Sequence, residues 1–208
     1  NYNRSRRKNM KNYIINNTMN YILKYNNYDE IKQEELKYGL VGIYLLISKL
    51  IVILILSIIL GIFKEVIIFT IIYIPIRAVS FGLHATKSWI CLISSTTIFI
   101  GLPFISRYLV ISTCIKLIIG IISIIMMYKN SPADTHKRPI INKNRRLFFK
   151  YSSVIIAIIY TELSMFINNT FITNCLLFSL IIQCFLTSPL IYKIFKLPYN
   201  NYKNFKFD

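Results

Sequence analysis

Arg77, Gly82, His84, Lys87 and Cys91 share the stretch RAVSFGLHATKSWICLISS, residues 77–95, in a chain otherwise dominated by isoleucine, leucine and phenylalanine. A histidine beside a cysteine has one ready use: the imidazole takes the thiol proton and the thiolate attacks a carbonyl. Their spacing sets a condition on that use. On one unbroken helix, residues seven apart share a face but stand roughly 10 Å apart along the axis, too far for a hydrogen bond. A working pair of His84 and Cys91 therefore requires a break between them. Gly82 precedes the histidine, and Thr86 or Ser88 can cap a new helix beginning near Trp89. Cys91 then occupies a first helical turn. There the helix N-terminus and the charges of Arg77 and Lys87 favour a thiolate.

The elements that must carry this stretch are apolar. Of 208 residues, 55% are hydrophobic, and mean hydropathy is +0.52. The apolar residues come in blocks rather than amphipathic stripes, which predicts an all-α, polytopic integral membrane protein. About six transmembrane helices are expected, at 39–63, 65–83, 89–104, 108–128, 147–167 and 170–195. Pro75 and Arg77 interrupt the second, and Gly101 and Pro103 the third, so broken or re-entrant segments are an expectation there.

The net charge of +17 is distributed for a membrane surface, not for nucleic acid. With six crossings, the basic clusters before residue 38, in the loop 129–146 and after residue 193 fall on one side together with His84. The positive-inside rule makes that side cytoplasmic, with both termini and the reactive stretch. The first 38 residues lack the apolar core of a signal peptide. Their Met10, Tyr13, Ile14, Tyr21, Ile22, Tyr25 and Tyr28 recur at helical spacing, which predicts an interfacial amphipathic helix. A second short helix is expected from Asp29, leading into the first span. The expected layout is thus a basic interfacial segment (1–38), a six-helix domain (39–195) containing the cytoplasmic loop 129–146, and a basic tail (196–208).

Cys114, Cys175 and Cys184 read as small buried apolar residues, scattered without a CxxC. The chain has two histidines, His84 and His136, and three ligands are the minimum for zinc, so no metal and no cofactor are expected. In the loop SPADTHKRPI, residues 131–140, Asp134 could orient His84, although a turn built by Ser131, Pro132 and Asp134 is the simpler reading. Lys137 and Arg138 add two positive charges to this loop. Charges within the bilayer need partners, and Lys116 is expected to pair with Glu162.

The stretch resembles the AgrB family, the accessory gene regulator proteins of Gram-positive bacteria. That family's signature is an arginine, a Gly-Gly-aromatic-His-Ala element and a cysteine seven residues after the histidine. Arg77, Gly82, His84, Ala85 and Cys91 stand in those places, and SPADTHKRPI resembles a second family element. Phe81 and Leu83 depart from the pattern, giving FGLHA for GGxHA. The resemblance covers essentially the whole chain. It implies a membrane cysteine endopeptidase in which Cys91 and His84 are catalytic and Arg77 and Gly82 support them. It further implies an AgrD-like autoinducer propeptide as partner, cleavage through a Cys91 thioester with thiolactone or lactone ring closure for quorum sensing, and a homodimer in the bacterial cytoplasmic membrane. With that partner the resemblance implies an acidic peptide for Lys137 and Arg138 to dock. The alternative class is a non-enzymatic membrane transporter or peptide-export subunit, which shares the spans and buried charges but has no use for a histidine and cysteine together.

Overall fold

The computed structural model describes residues 2–26, 28–83, 88–135 and 140–204. Two compact units divide the chain, residues 1–55 and 56–208. The first holds α1 (Tyr2–Tyr25) and most of α2 (Glu30–Ile59). On α1, Ile15 and Met19 are buried, while Tyr13, Ile14, Tyr21 and Tyr25 are exposed. Ile22 faces Leu36, Gly39, Leu40 and Ile43 of α2 across a shallow groove. Asp29 caps α2 by accepting the Lys32 amide at 3.2 Å. The short helix expected from Asp29 runs into the first span as one helix, α2, which continues through Gly39 and Gly42 without a break.

The second unit contains α3 (Phe63–Ser80), α4 (Ser88–Thr96), a π-helical turn (Thr97–Gly101), α5 (Leu102–Ser106), α6 (Thr113–Asn130), α7 (Lys143–Phe166), α8 (Thr170–Thr187), α9 (Pro189–Ile194) and a 3₁₀ turn (Asn201–Asn204). No strand occurs among the described residues, only an isolated bridge. Among the described residues, five helices are long and apolar enough to cross a membrane: 32–59, 89–106, 113–130, 143–166 and 170–187. The sixth expected span is α3, which is 18 residues long but carries Lys64, Glu65 and Arg77.

Local chemistry explains the boundaries. Asn142 accepts the Arg145 amide at 3.2 Å and starts α7; Asn169 accepts the Ile172 amide at 3.1 Å and starts α8. Pro103 has no amide to offer the carbonyl four residues back, and the wider π turn just before it relieves that conflict within one continuous span. The last expected span, 170–195, is two helices. Ser188 precedes Pro189, which disfavours helical backbone at the serine, and the Ser188 hydroxyl accepts the Leu190 amide at 3.3 Å to begin α9.

The central helix is α8, which packs against α3, α5, α6 and α7. Phe69, Tyr73, Met127, Ala157, Leu176 and Leu180 belong to the shared core. Buried polar residues accompany them, among them Ser123, Ser153, Thr161, Asn174, Ser179 and Gln183. Ile118, Ile122 and Ile125 of α6 and Ile155, Ile159 and Phe166 of α7 are exposed. Apolar side chains outward with small polar ones between helices is the arrangement a lipid solvent selects.

The crossings alternate in direction. At one end Arg107, just after α5, pairs with Glu65 of α3 at 3.0 Å. At the same end the Asn174 amide donates to the carbonyls of Ser106 and Leu109 at 3.0 and 2.8 Å. Lys116 also lies there and donates to the Ser164 carbonyl at 3.3 Å. The expected Lys116–Glu162 pair does not form. Thr161 and Ser164 face inward while Glu162, about 100° further round the helix, is exposed.

Candidate active site

At the other end of the bundle, α3 stops at Ser80, the chain leaves the helix through Phe81, Gly82 and Leu83, and α4 begins at Ser88. The expected break between His84 and Cys91 falls on residues 84–87, outside the described residues. The segment 81–83 is held on three sides. Gly82 donates its amide to Ala133 at 2.9 Å and Ala133 donates to Ser80 at 3.1 Å, a parallel bridge to the loop after α6. Leu83 donates to the Leu186 carbonyl at the end of α8 at 2.9 Å. The guanidinium of Arg77 donates back along its own chain to the carbonyls of Phe81, Gly82 (3.4 Å) and Leu83 (3.0 Å). One forked cation thus satisfies three consecutive carbonyls, which suits arginine and not lysine.

Gly82 is required by the same geometry. Its φ is +107°, and a Cβ there would stand 2.7 Å from Arg77 Nη1 and 2.8 Å from the Leu186 carbonyl oxygen. Phe81 also has a positive φ of 57°, and its ring meets Phe149 of α7 edge-on at 4.9 Å.

Gln183 is a contributor that the sequence reading missed. It is fully buried in α8, donates to the Phe81 carbonyl at 2.7 Å and accepts from the Tyr73 hydroxyl at 3.2 Å. A lone glutamine in the apolar helix FITNCLLFSLIIQCFLT was the available signal, since a buried amide there needs partners.

Cys91 is half-buried in the first turn of α4. Of the other cysteines, Cys175 and Cys184 are buried and Cys114 is exposed. His84, Lys137 and Arg138 lie outside the described residues. His84 directly follows the clamped Leu83 in the sequence.

Asp134 is committed elsewhere. Its side chain is nearly buried, at 2% exposure. It accepts the backbone amides of Asn201 and Tyr202 at 3.1 and 3.0 Å, and Arg146 stands 3.5 Å away. Tyr192 of α9 donates to the Asp134 carbonyl at 3.1 Å. Burial pushes the Tyr192 hydroxyl well above its ordinary range, an effect that the nearby Arg77 charge only partly offsets.

A bundle with an apolar exterior and polar seams between its helices defines the class: an all-α polytopic membrane protein. The family model Accessory gene regulator B matches residues 15–187, and the chain belongs to that family. Over 175 residues it is 32% identical to accessory gene regulator protein B of Staphylococcus aureus strain MRSA252, covering 83% of this chain and 91% of that one. It is 28% identical over 193 residues to an AgrB-like protein of Clostridium acetobutylicum, covering 93% and 91%. A Listeria innocua AgrB-like protein is 28% identical over 178 residues, covering 86% and 87%. No solved structure matches the chain.

Proposed function

We infer that the protein is a cysteine endopeptidase of the bacterial cytoplasmic membrane that cleaves the carboxy-terminal part of an AgrD-like autoinducer propeptide for quorum sensing. Cys91 is the nucleophile and His84 the base. The observation that carries the reading is the break between α3 and α4. The segment immediately before His84 in the sequence is pinned by Arg77, Ala133 and Leu186, and a new helix begins at Ser88, three residues before Cys91.

The reaction balances as acyl transfer. His84 takes the thiol proton, Cys91 Sγ bonds to the scissile carbonyl carbon, and the carbon–nitrogen bond breaks as His84 returns the proton to the leaving amine. The thioester keeps the acyl group activated. An internal thiol or hydroxyl of the peptide then attacks it, releasing Cys91 and closing a thiolactone or lactone ring. Excluding water at the membrane boundary disfavours hydrolysis of the intermediate. Lys137 and Arg138 dock the acidic part of the peptide, and the active unit is a homodimer.

Mass spectrometry tests the reading on the purified full chain in liposomes, incubated with the propeptide encoded beside it. Wild type is expected to show an acyl adduct on Cys91 and a cyclic product, both absent in Cys91→Ala and His84→Ala. Intact propeptide with all three proteins, each folded and binding it, favours a binding or export subunit instead.

A further inference from the structure

We propose that the segment from Tyr192 to Tyr202 is a positioning element for the reaction, holding through Asp134 and Ala133 the segment 81–83 that leads in the sequence to His84. The inference rests on the assignment of His84 and Cys91 as base and nucleophile.

A basic, polar tail beyond the last span would ordinarily be left to solvent; this one is built in. After α9 the chain turns back at Lys196, with φ 52°, and Leu197 donates to the Tyr192 carbonyl at 2.8 Å. Tyr199 packs edge-on against Tyr192 at 5.1 Å and donates to the Asn130 carbonyl at 3.4 Å. Asn201 is 1% exposed, and its side-chain amide donates to Pro198 at 3.0 Å. The Asp134 carboxylate receives one backbone amide on each oxygen, from Asn201 and Tyr202. Arg146 joins the group, 3.5 Å from Asp134 and 3.4 Å from the centre of the Tyr202 ring.

This arrangement has a direction of influence. A carboxylate buried to 2% exposure depends on its partners, and among the described residues Asp134 without the tail keeps Arg146 at ion-pair distance. The adjacent residue, Ala133, forms the bridge to Phe81 and receives the Gly82 amide. The Tyr192 hydroxyl bonds both residues of the loop, 3.4 Å from the Ala133 carbonyl and 3.1 Å from that of Asp134. From the tail to the residue before His84 the path therefore runs through two loop residues and one bridge. Asp134 and the tail therefore act on residues 81–83, the segment that precedes His84 in the sequence.

The experiment compares the full chain with a truncation after Leu197, Asp134→Ala, and Tyr202→Phe, which keeps both the ring under Arg146 and the backbone amide. Propeptide turnover is resolved into kcat and KM. Separately, the rate of Cys91 alkylation by iodoacetamide is followed by mass spectrometry from pH 5 to 9, with His84→Ala as reference.

The expected result is a kcat at least tenfold lower for the truncation and Asp134→Ala, with KM within about twofold, and Tyr202→Phe equal to wild type. The alkylation profile of the truncated chain should coincide with that of His84→Ala, losing the reactivity at low pH that an imidazole confers on its thiol. A synthetic peptide covering residues 198–208 should restore part of both. Truncated protein that is folded and has a wild-type profile and kcat overturns the proposal, as does a loss confined to KM, which would make the tail a substrate contact. If wild type and His84→Ala already share one alkylation profile, the dyad itself fails, and that outcome is separable from failure of the tail alone.

Discussion

At the scale of single residues, the turn between α3 and α4 is over-determined, so small changes there are expected to reach the chemistry. Gly82→Ala forces a Cβ into Arg77 and the Leu186 carbonyl and places alanine at φ +107°. The backbone strain alone is on the order of 1–3 kcal/mol. We expect propeptide turnover to fall more than about tenfold, a loss of at least ~1.4 kcal/mol in transition-state stabilisation, while detergent-solubilised protein still elutes as wild type. Arg77→Lys should behave similarly, because a point charge cannot replace a fork that satisfies the carbonyls of Phe81, Gly82 and Leu83. Turnover at wild-type level in Arg77→Lys would show that charge, not the fork, is what the site needs. The arginine, glycine, histidine and cysteine were all legible as residue types at informative spacing. What Arg77 does was not, since a cation seven residues before a histidine reads as an electrostatic partner until the turn folds its carbonyls back onto it.

At the scale of elements, close helix approach is as demanding as the turn. A Cβ on Gly120 would lie 2.1 Å from Thr161 Cγ2 and 2.7 Å from its Oγ1, so α6 and α7 meet there without room for a methyl group. Gly120→Ala is expected to destabilise the bundle by about 1–3 kcal/mol, measured as a lower thermal midpoint in detergent. Thr161→Ala in the same chain removes the two nearest atoms, leaving its Cβ at 2.9 Å, and should recover much of the loss. Purely additive destabilisation of the pair would mean that the two helices do not meet at these residues. The spans themselves were readable because lipid leaves little alternative to long apolar helices. Their fine boundaries were not. The π turn at Thr97–Gly101 answers to Pro103 in three dimensions, and the split of the last span at Ser188 turns on a cap and a proline inside an apolar run. Helical phase decided the fate of Lys116 as well: a shared depth in the expected topology paired it with Glu162, but packing presents the Ser164 carbonyl.

At the scale of the whole molecule, charge and site share an end of the 56–208 unit. Lys129, Lys143, Arg145, Lys193 and Lys196 flank the ends of α6, α7 and α9 where Ala133, Leu186 and Tyr192 gather around Gly82. At the opposite end Arg107 is neutralised by Glu65, and Lys64 and Lys116 are the remaining cations near the helix ends. A loop's lysines and arginines set which way a helical membrane protein faces, so the site end is expected in the cytoplasm, where a newly made propeptide reaches it before release. Cysteine labelling checks this directly. In a Cys114→Ser background, Ser112→Cys marks the exposed start of α6 and Lys129→Cys marks its far end beside the site. A membrane-impermeant maleimide added to intact cells should modify the first and spare the second until the cells are opened. The reverse pattern would put Cys91 outside, and peptide cleavage would then have to follow export instead of preceding it.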